Sequence, residues 1–154
     1  MQIGGFDFVQ TSSGCPEQYD VFDKNGNQVC YVRLRWGSLT ARCPDVDGVY
    51  IYSAGIGDDL AGSFKSDYQR KLHLMKIAKR LTWYTSKPVC PECGCEIILE
   101  EGVLDVLYKE NKVIVDCQEC SADLKVEVDV KVVRRDKERG YDVINRDSLS
   151  VRRV

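Results

Sequence analysis

With 154 residues, 44% hydrophobic and 30% charged, and a formal net charge of −2, the chain can fold as one domain or as two small ones. No apolar run approaches the roughly 20 residues needed to cross a bilayer, which argues against a helical span and predicts a soluble protein. Internal repeats and low-complexity stretches are absent.

Residues 1–87 read as a small α+β unit. Residues 19–22 predict a short strand, and Asp23-Lys-Asn-Gly-Asn27 a turn of residues that accept positive φ. Residues 28–35 alternate as a second strand, 39–43 as a third and 49–53 as a fourth, with turns at 36–38 and 44–48. The simplest assembly is a four-stranded antiparallel meander. Ser66-Asp-Tyr-Gln69 then has the form of a capping box, followed by a helix. Leu72, Met75, Ala78 and Lys79 lie near one stripe, which Leu74, Ile77 and Leu81 widen into an apolar face. The unit, β-β-β-β-α, ends near Ser86-Lys87-Pro88.

Period-two alternation separates the faces of that meander. Cys30, Val32, Leu34, Leu39, Ala41 and Cys43 are core candidates. Tyr31, Arg33, Arg35, Thr40 and Arg42 take the opposite face, joined by Tyr50 and Tyr52 provided the fourth strand keeps register. Tyrosine and arginine combine large contact area with directed polar groups, so Tyr31, Arg33, Arg35, Arg42, Tyr50 and Tyr52 are candidate partner-binding residues. The competing reading is a solvated sheet face with arginine stems lying on tyrosine rings.

Little here points to catalysis. Gly55, Gly57, Asp58, Asp59 and Gly62 make the 55–62 stretch the only one that invites such a reading, since glycines cradle phosphate and paired carboxylates hold Mg²⁺. It lacks the lysine of a P-loop, and a strand-to-helix connection explains the same residues. His73 is the sole histidine, which rules out a multi-histidine catalytic centre.

The second half, residues 88–154, is organised by cysteine. Cys90-Pro-Glu-Cys93 and Cys117-Gln-Glu-Cys120 are two turns that each aim two sulfurs at one point, enough to close a four-thiolate shell around Zn²⁺. A closed shell leaves no position for water or substrate, so the metal is expected to be structural. Cys95 competes with Cys93 as a ligand. A disulfide framework or a thioredoxin-like pair are the alternatives. Met1-Gln2-Ile3-Gly4-Gly5 does not open a secretory leader, so a reducing cytoplasm, that of a bacterial host, is expected. Apolar runs follow both cysteine pairs, 97–99 and 124–133. Across residues 88–134 this layout resembles a zinc ribbon, with a spacer longer than the common range, and the resemblance implies a β-rich second domain.

Charge is banded along the chain. Residues 1–87 hold eleven basic and nine acidic side chains, residues 88–130 three and eleven, and residues 131–154 eight and four. An acidic band of −8 repels phosphate and suits a basic surface on another protein, or is only the polar face of half-buried strands. Arg134-Arg-Asp-Lys-Glu-Arg139 predicts a mixed-charge turn closed by Gly140, and Arg152 and Arg153 are expected to meet either nucleic acid or the chain's own acidic band.

The stretch from Cys15-Pro-Glu-Gln18 through Tyr31-Val-Arg-Leu-Arg-Trp-Gly37, with the helix after it, resembles small accessory proteins of phages and integrative elements of Gram-positive bacteria. That resemblance covers about the first half of the chain and carries no catalytic motif. It implies a cytoplasmic, non-catalytic protein of a mobile element, an inhibitor of host defence such as an anti-CRISPR protein, whose partner is a protein or nucleoprotein, a CRISPR effector among them. No membrane or small-molecule substrate is expected. Two other classes stand beside it: a nucleic-acid-binding zinc-ribbon regulator in which Tyr31, Tyr50 and Tyr52 stack on bases while Arg33, Arg35 and Arg42 hold phosphates, and an enzyme using the 55–62 loop.

Overall fold

Alternating burial begins earlier than the sequence reading places it. Phe6 and Phe8 are buried while Asp7 and Val9 point outward. The computed structural model describes residues 1–136 and 141–154. In it β1 (Gln2–Ile3) and β2 (Phe6–Ser12) form a hairpin turned by Gly4 and Gly5, at φ of +59° and +87°. Then β3 (Glu17–Phe22), β4 (Gln28–Arg35), β5 (Ser38–Cys43) and β6 (Val49–Gly55) continue the meander. The result is one antiparallel sheet of six strands in the order β1-β2-β3-β4-β5-β6, where four were expected. The two extra strands escape a pattern search because β1 has only two residues and glycines or serines flank β2 on both sides.

Buried Phe8, Tyr19, Val21, Cys30, Val32, Leu34, Leu39, Ala41, Cys43 and Ile51 make one face of this sheet the core. Helix α1 (Asp67–Thr85) contributes Leu74, Ile77, Ala78 and Leu81, all buried, whereas Leu72 and Met75, expected on the same stripe, are exposed. Ser66 Oγ accepts from Gln69 N–H at 3.1 Å as a cap does, but Gln69 Oε1 reaches back to Lys65 N–H instead of closing the box on Ser66. Polar groups fix where the helix meets the sheet: Arg70 donates to the buried carboxylate of Glu17, the Tyr52 hydroxyl lies 2.7 Å from His73 Nδ1, and the Arg80 guanidinium sits 4.7 Å over the Tyr52 ring.

The β4–β5 hairpin turns on Trp36 and Gly37, both at positive φ, +50° and +68°, the signature of a two-residue primed turn. Glycine is obligatory at 37. A Cβ there would stand 2.3 Å from the Asp58 carbonyl oxygen, because Gly37 N–H donates to Ala61 and Ile56 N–H to Gly37.

Two compact units are present, Met1–Leu81 and Thr82–Val154; the sequence reading puts the boundary at 87/88. In the second, α2 (Glu101–Glu110) is followed by β7 (Lys112–Asp116), β8 (Asp123–Asp136) and β9 (Tyr141–Arg153), an antiparallel sheet in the order β7-β8-β9. Leu124, Val126 and Val128 are buried, alternating with Lys125 and Glu127. Helix α2 touches β7 and β8 and buries Leu104 and Leu107. Asn111, in the left-handed region at φ +60°, caps it: its N–H donates to Leu107, and its carbonyl accepts from Val128 N–H at 2.8 Å. The expected β-rich half therefore contains a helix, and residues 97–99 belong to no strand.

Strand β8 carries residues 134–136 of the expected mixed-charge turn, whose remainder, 137–140, lies outside the described residues. No helix among the described residues is long and apolar enough to cross a membrane.

Candidate metal centre

Both Cys-x-x-Cys pairs form the same hydrogen-bonded loop. In the first, Cys90 N–H donates to the Cys95 carbonyl and Gly94 N–H to the Cys90 carbonyl, each at 2.8 Å. In the second, Cys117 N–H donates to Ala122 and Ser121 N–H to Cys117, each at 2.9 Å. The residue after the second cysteine has positive φ in both, +77° at Gly94 and +57° at Ser121. Such a loop folds the chain back so that the two side chains of a pair converge. Residue for residue, Cys90 matches Cys117, Cys93 matches Cys120 and Cys95 matches Ala122. Local packing holds the first loop through a bridge of Val89 with Glu96, a hydrogen bond from Ile97 N–H to Pro88 at 2.8 Å, and the buried side chains of Ile97 and Leu99.

The four sulfurs of Cys90, Cys93, Cys117 and Cys120 lie within 4.8 Å of one another. Two contacts cross between the loops, Cys90 to Cys120 at 3.8 Å and Cys93 to Cys117 at 3.6 Å. A tetrahedral metal–thiolate shell with bonds of about 2.3 Å has edges of about 3.8 Å, so the spacing fits a bound ion with little movement. Cys90 and Cys117 are buried and Cys93 and Cys120 exposed, so each loop supplies one inner and one outer sulfur. The Cys117 thiol is pulled down to about 6, first by the Cys120 N–H and then by the Cys95 side chain, whereas the Cys93 and Cys120 thiols beside it are pushed up, so in the metal-free cluster Cys117 is the sulfur readiest to ionise. Helix α2 lies between the loops, and its ten residues account for the long spacer.

Cys95 falls outside this group of four, yet its sulfur is 3.2 Å from that of Cys117. The correspondence between the loops therefore favours Cys93, the counterpart of Cys120, as the fourth donor.

Two carboxylates of the acidic band, Glu127 and Glu92, meet arginines of β9. Glu127 meets Lys125 at 2.6 Å and also pairs with Arg152, and both cations hold its carboxyl below the usual range. Arg153 lies 3.7 Å from Glu92. The pairing of β9 with β8, Lys125 opposite Arg152 and Leu124 opposite Arg153, puts these arginines there.

The tyrosine–arginine face exists in part. Asp20, Tyr31, Arg42 and Tyr50 form one row across β3 to β6, with Gln18, Arg33, Thr40 and Ser53 beside it and Arg35 at the hairpin end. Arg42 is held by the Val46 carbonyl at 2.7 Å and by Tyr50, whose ring lies 4.2 Å beneath its guanidinium. Tyr52 does not join them. A bulge between Ala41 and Arg42 pairs Arg42 with Tyr50 and Ala41 with Tyr52, so Ile51 is the extra residue and Tyr52 turns into the core. Sequence reading leaves out Trp36, 65% exposed, with the Arg35 guanidinium 3.9 Å over its ring. Its position beside a glycine in a hairpin turn is the available signal.

The 55–62 loop uses its own polar groups. Asp58 Oδ1 accepts from Leu60 N–H at 3.1 Å and the Asp58 carbonyl from Ala61 at 3.0 Å, an Asx-type turn. His73, paired with Tyr52 and stacked on Phe64, is held below its ordinary pKa by burial and by Lys76.

No protein-family profile, curated protein or solved structure matches this chain.

Proposed function

We propose that the chain is a zinc-stabilised, non-catalytic binding protein. The observation that carries the metal half is the matched pair of loops, whose four sulfurs have the spacing of a tetrahedral thiolate shell. Thiolate donors in that geometry select zinc or iron, and bound Zn²⁺ fills its coordination with the four sulfurs, so it locks structure and activates no water. Elemental analysis of the purified chain should find one zinc per molecule; iron or no metal overturns the assignment.

Binding is assigned to the outer sheet face of the first unit. Arg42 is pre-set between the Val46 carbonyl and the Tyr50 ring, and Arg33 and Arg35 extend the same face. Pre-set arginine and tyrosine side chains lose little freedom on contact, which makes them effective anchors. The partner of this reading is a protein or nucleoprotein. Its mobile-element version, inhibition of a CRISPR effector, rests on the resemblance of residues 15–37 and the following helix. Under that version the chain co-elutes with an effector ribonucleoprotein, and replacing Arg42 and Tyr50 together by alanine weakens capture about tenfold or more. Unimpeded target cleavage at molar excess of the chain removes it.

A second reading, direct binding of single-stranded nucleic acid, is favoured by the Arg35–Trp36 stack at the exposed hairpin tip. Asp20 at the β3 end of the row, directly opposite Tyr31, opposes it. Substituting Arg33 and Arg35 by alanine should then abolish a salt-sensitive gel shift. The absence of any shift at low salt sinks that reading.

A further inference from the structure

Five thiols converge where a four-thiolate shell needs four, and the role of the fifth rests on the reading of the other four as metal ligands. Cys95 Sγ stands 3.2 Å from Cys117 Sγ, closer than the ligand contacts of 3.6 and 3.8 Å that cross between the loops. The loop fold does not call for a sulfur there, since the second loop makes the same hydrogen bonds with Ala122 in the matching place. Cys95 is half-buried, and a cleft of about 120 Å³ opens beside the two sulfurs, lined by Cys95 and Cys117, by Ile97 and Val115, and by the acidic residues Glu100 and Asp116. That is ample room for a small oxidant.

We propose that Cys95 is a peroxide-reactive thiol whose oxidation withdraws Cys117 from the metal shell. The Cys95 sulfur attacks hydrogen peroxide, the O–O bond breaks, and Cys95 becomes a sulfenic acid with release of water. The Cys117 thiolate then attacks the Cys95 sulfur and displaces hydroxide, forming a disulfide. Two thiols are oxidised by two electrons and one peroxide is reduced. The sulfurs close from 3.2 Å to about 2.05 Å. Three sulfurs remain in the shell, and the ion is freed.

The test uses the full-length chain with its Cys95→Ser and Cys95→Ala variants, each first assayed for bound zinc and then treated with hydrogen peroxide. Zinc release is followed with a chromophoric chelator, and disulfides are located by mass-spectrometric fragmentation. Release from the parent chain is expected to be about tenfold faster than from either variant, with a Cys95–Cys117 link in the parent alone. Equal release rates in all three proteins, or a disulfide joining Cys117 to another cysteine, overturns the proposal. A parent chain that carries no zinc at the first step refutes the metal reading instead, and the mapped link then decides this one.

Discussion

Chelation of the zinc-loaded chain should collapse the ordered signals of residues 82–154 while those of residues 1–81 persist. The reason lies in what each unit has to hold it. The first carries a six-stranded sheet whose buried face is continuous from Phe8 to Ile51 and is covered by four apolar side chains of α1. The second has a three-stranded sheet, a ten-residue helix and two loops in which the inner sulfur of each meets the outer sulfur of the other. Without an ion, four thiols are packed within 4.8 Å with no charge to balance the thiolates among them. Structural zinc in small domains supplies about 10–16 kcal/mol of apparent binding energy, most of which is folding energy in a unit of this kind. Cys117→Ser should do the same damage without a chelator, because that sulfur is buried and makes both the Cys93 and the Cys95 contacts. Two-dimensional amide spectra before and after chelation read the result directly. Dispersed signals from β7 and β8 that survive a large excess of chelator would show that the sulfurs do not rivet this unit.

Legibility in the sequence tracks the range of the interactions. The cysteine loops are legible because their chemistry is local: each pair, its positive-φ residue and its two hydrogen bonds lie within six residues. Strands β3 to β6 are legible for the same reason, as alternation and turn residues are properties of short windows. Helix α2 escapes because it is only ten residues long, opens at Glu100 without a side-chain cap and carries a glycine at 102 and two β-branched valines, so its apolar residues pass for a strand-like run. Tyr52 falls on the wrong face because one inserted residue, Ile51, reverses every side chain beyond it, and nothing local in Val-Tyr-Ile-Tyr-Ser announces a bulge. Glu17 gives no sign of its role at all. Its partners Phe64 and Arg70 are 47 and 53 residues away, so no window of sequence contains the reason it is buried.

Replacing Glu17 by alanine should therefore be among the most damaging single changes outside the metal centre. Its side chain is fully buried, and its carboxylate accepts from Arg70 Nε at 2.7 Å, Tyr19 Oη at 2.5 Å and Phe64 N–H at 3.0 Å. One acid thus ties β3, the segment leading into α1 and α1 itself together. Removing it strands a buried hydroxyl and a backbone N–H and leaves a guanidinium without its main counter-charge, a loss of about 3 kcal/mol. Arg70 reaches some solvent, which keeps the figure at the lower end of the range for a broken buried pair. Tyr19→Phe, by contrast, removes one donor and leaves the rest of the network, so about 1 kcal/mol is expected. Burial alone would raise the Glu17 pKa, but the hydrogen bonds from Arg70, Tyr19 and Phe64 outweigh it and hold the carboxyl below the usual range. With the folded pKa depressed, its contribution is full above the ordinary glutamate range and is lost as pH falls through the lower, folded value. Denaturant midpoints measured from neutral pH downward should accordingly converge for the parent chain and Glu17→Gln on the acid side, the gap being widest near neutrality. A gap between the two that stays constant down to the acid transition would mean that the charge of Glu17, as distinct from its shape, contributes nothing to the fold.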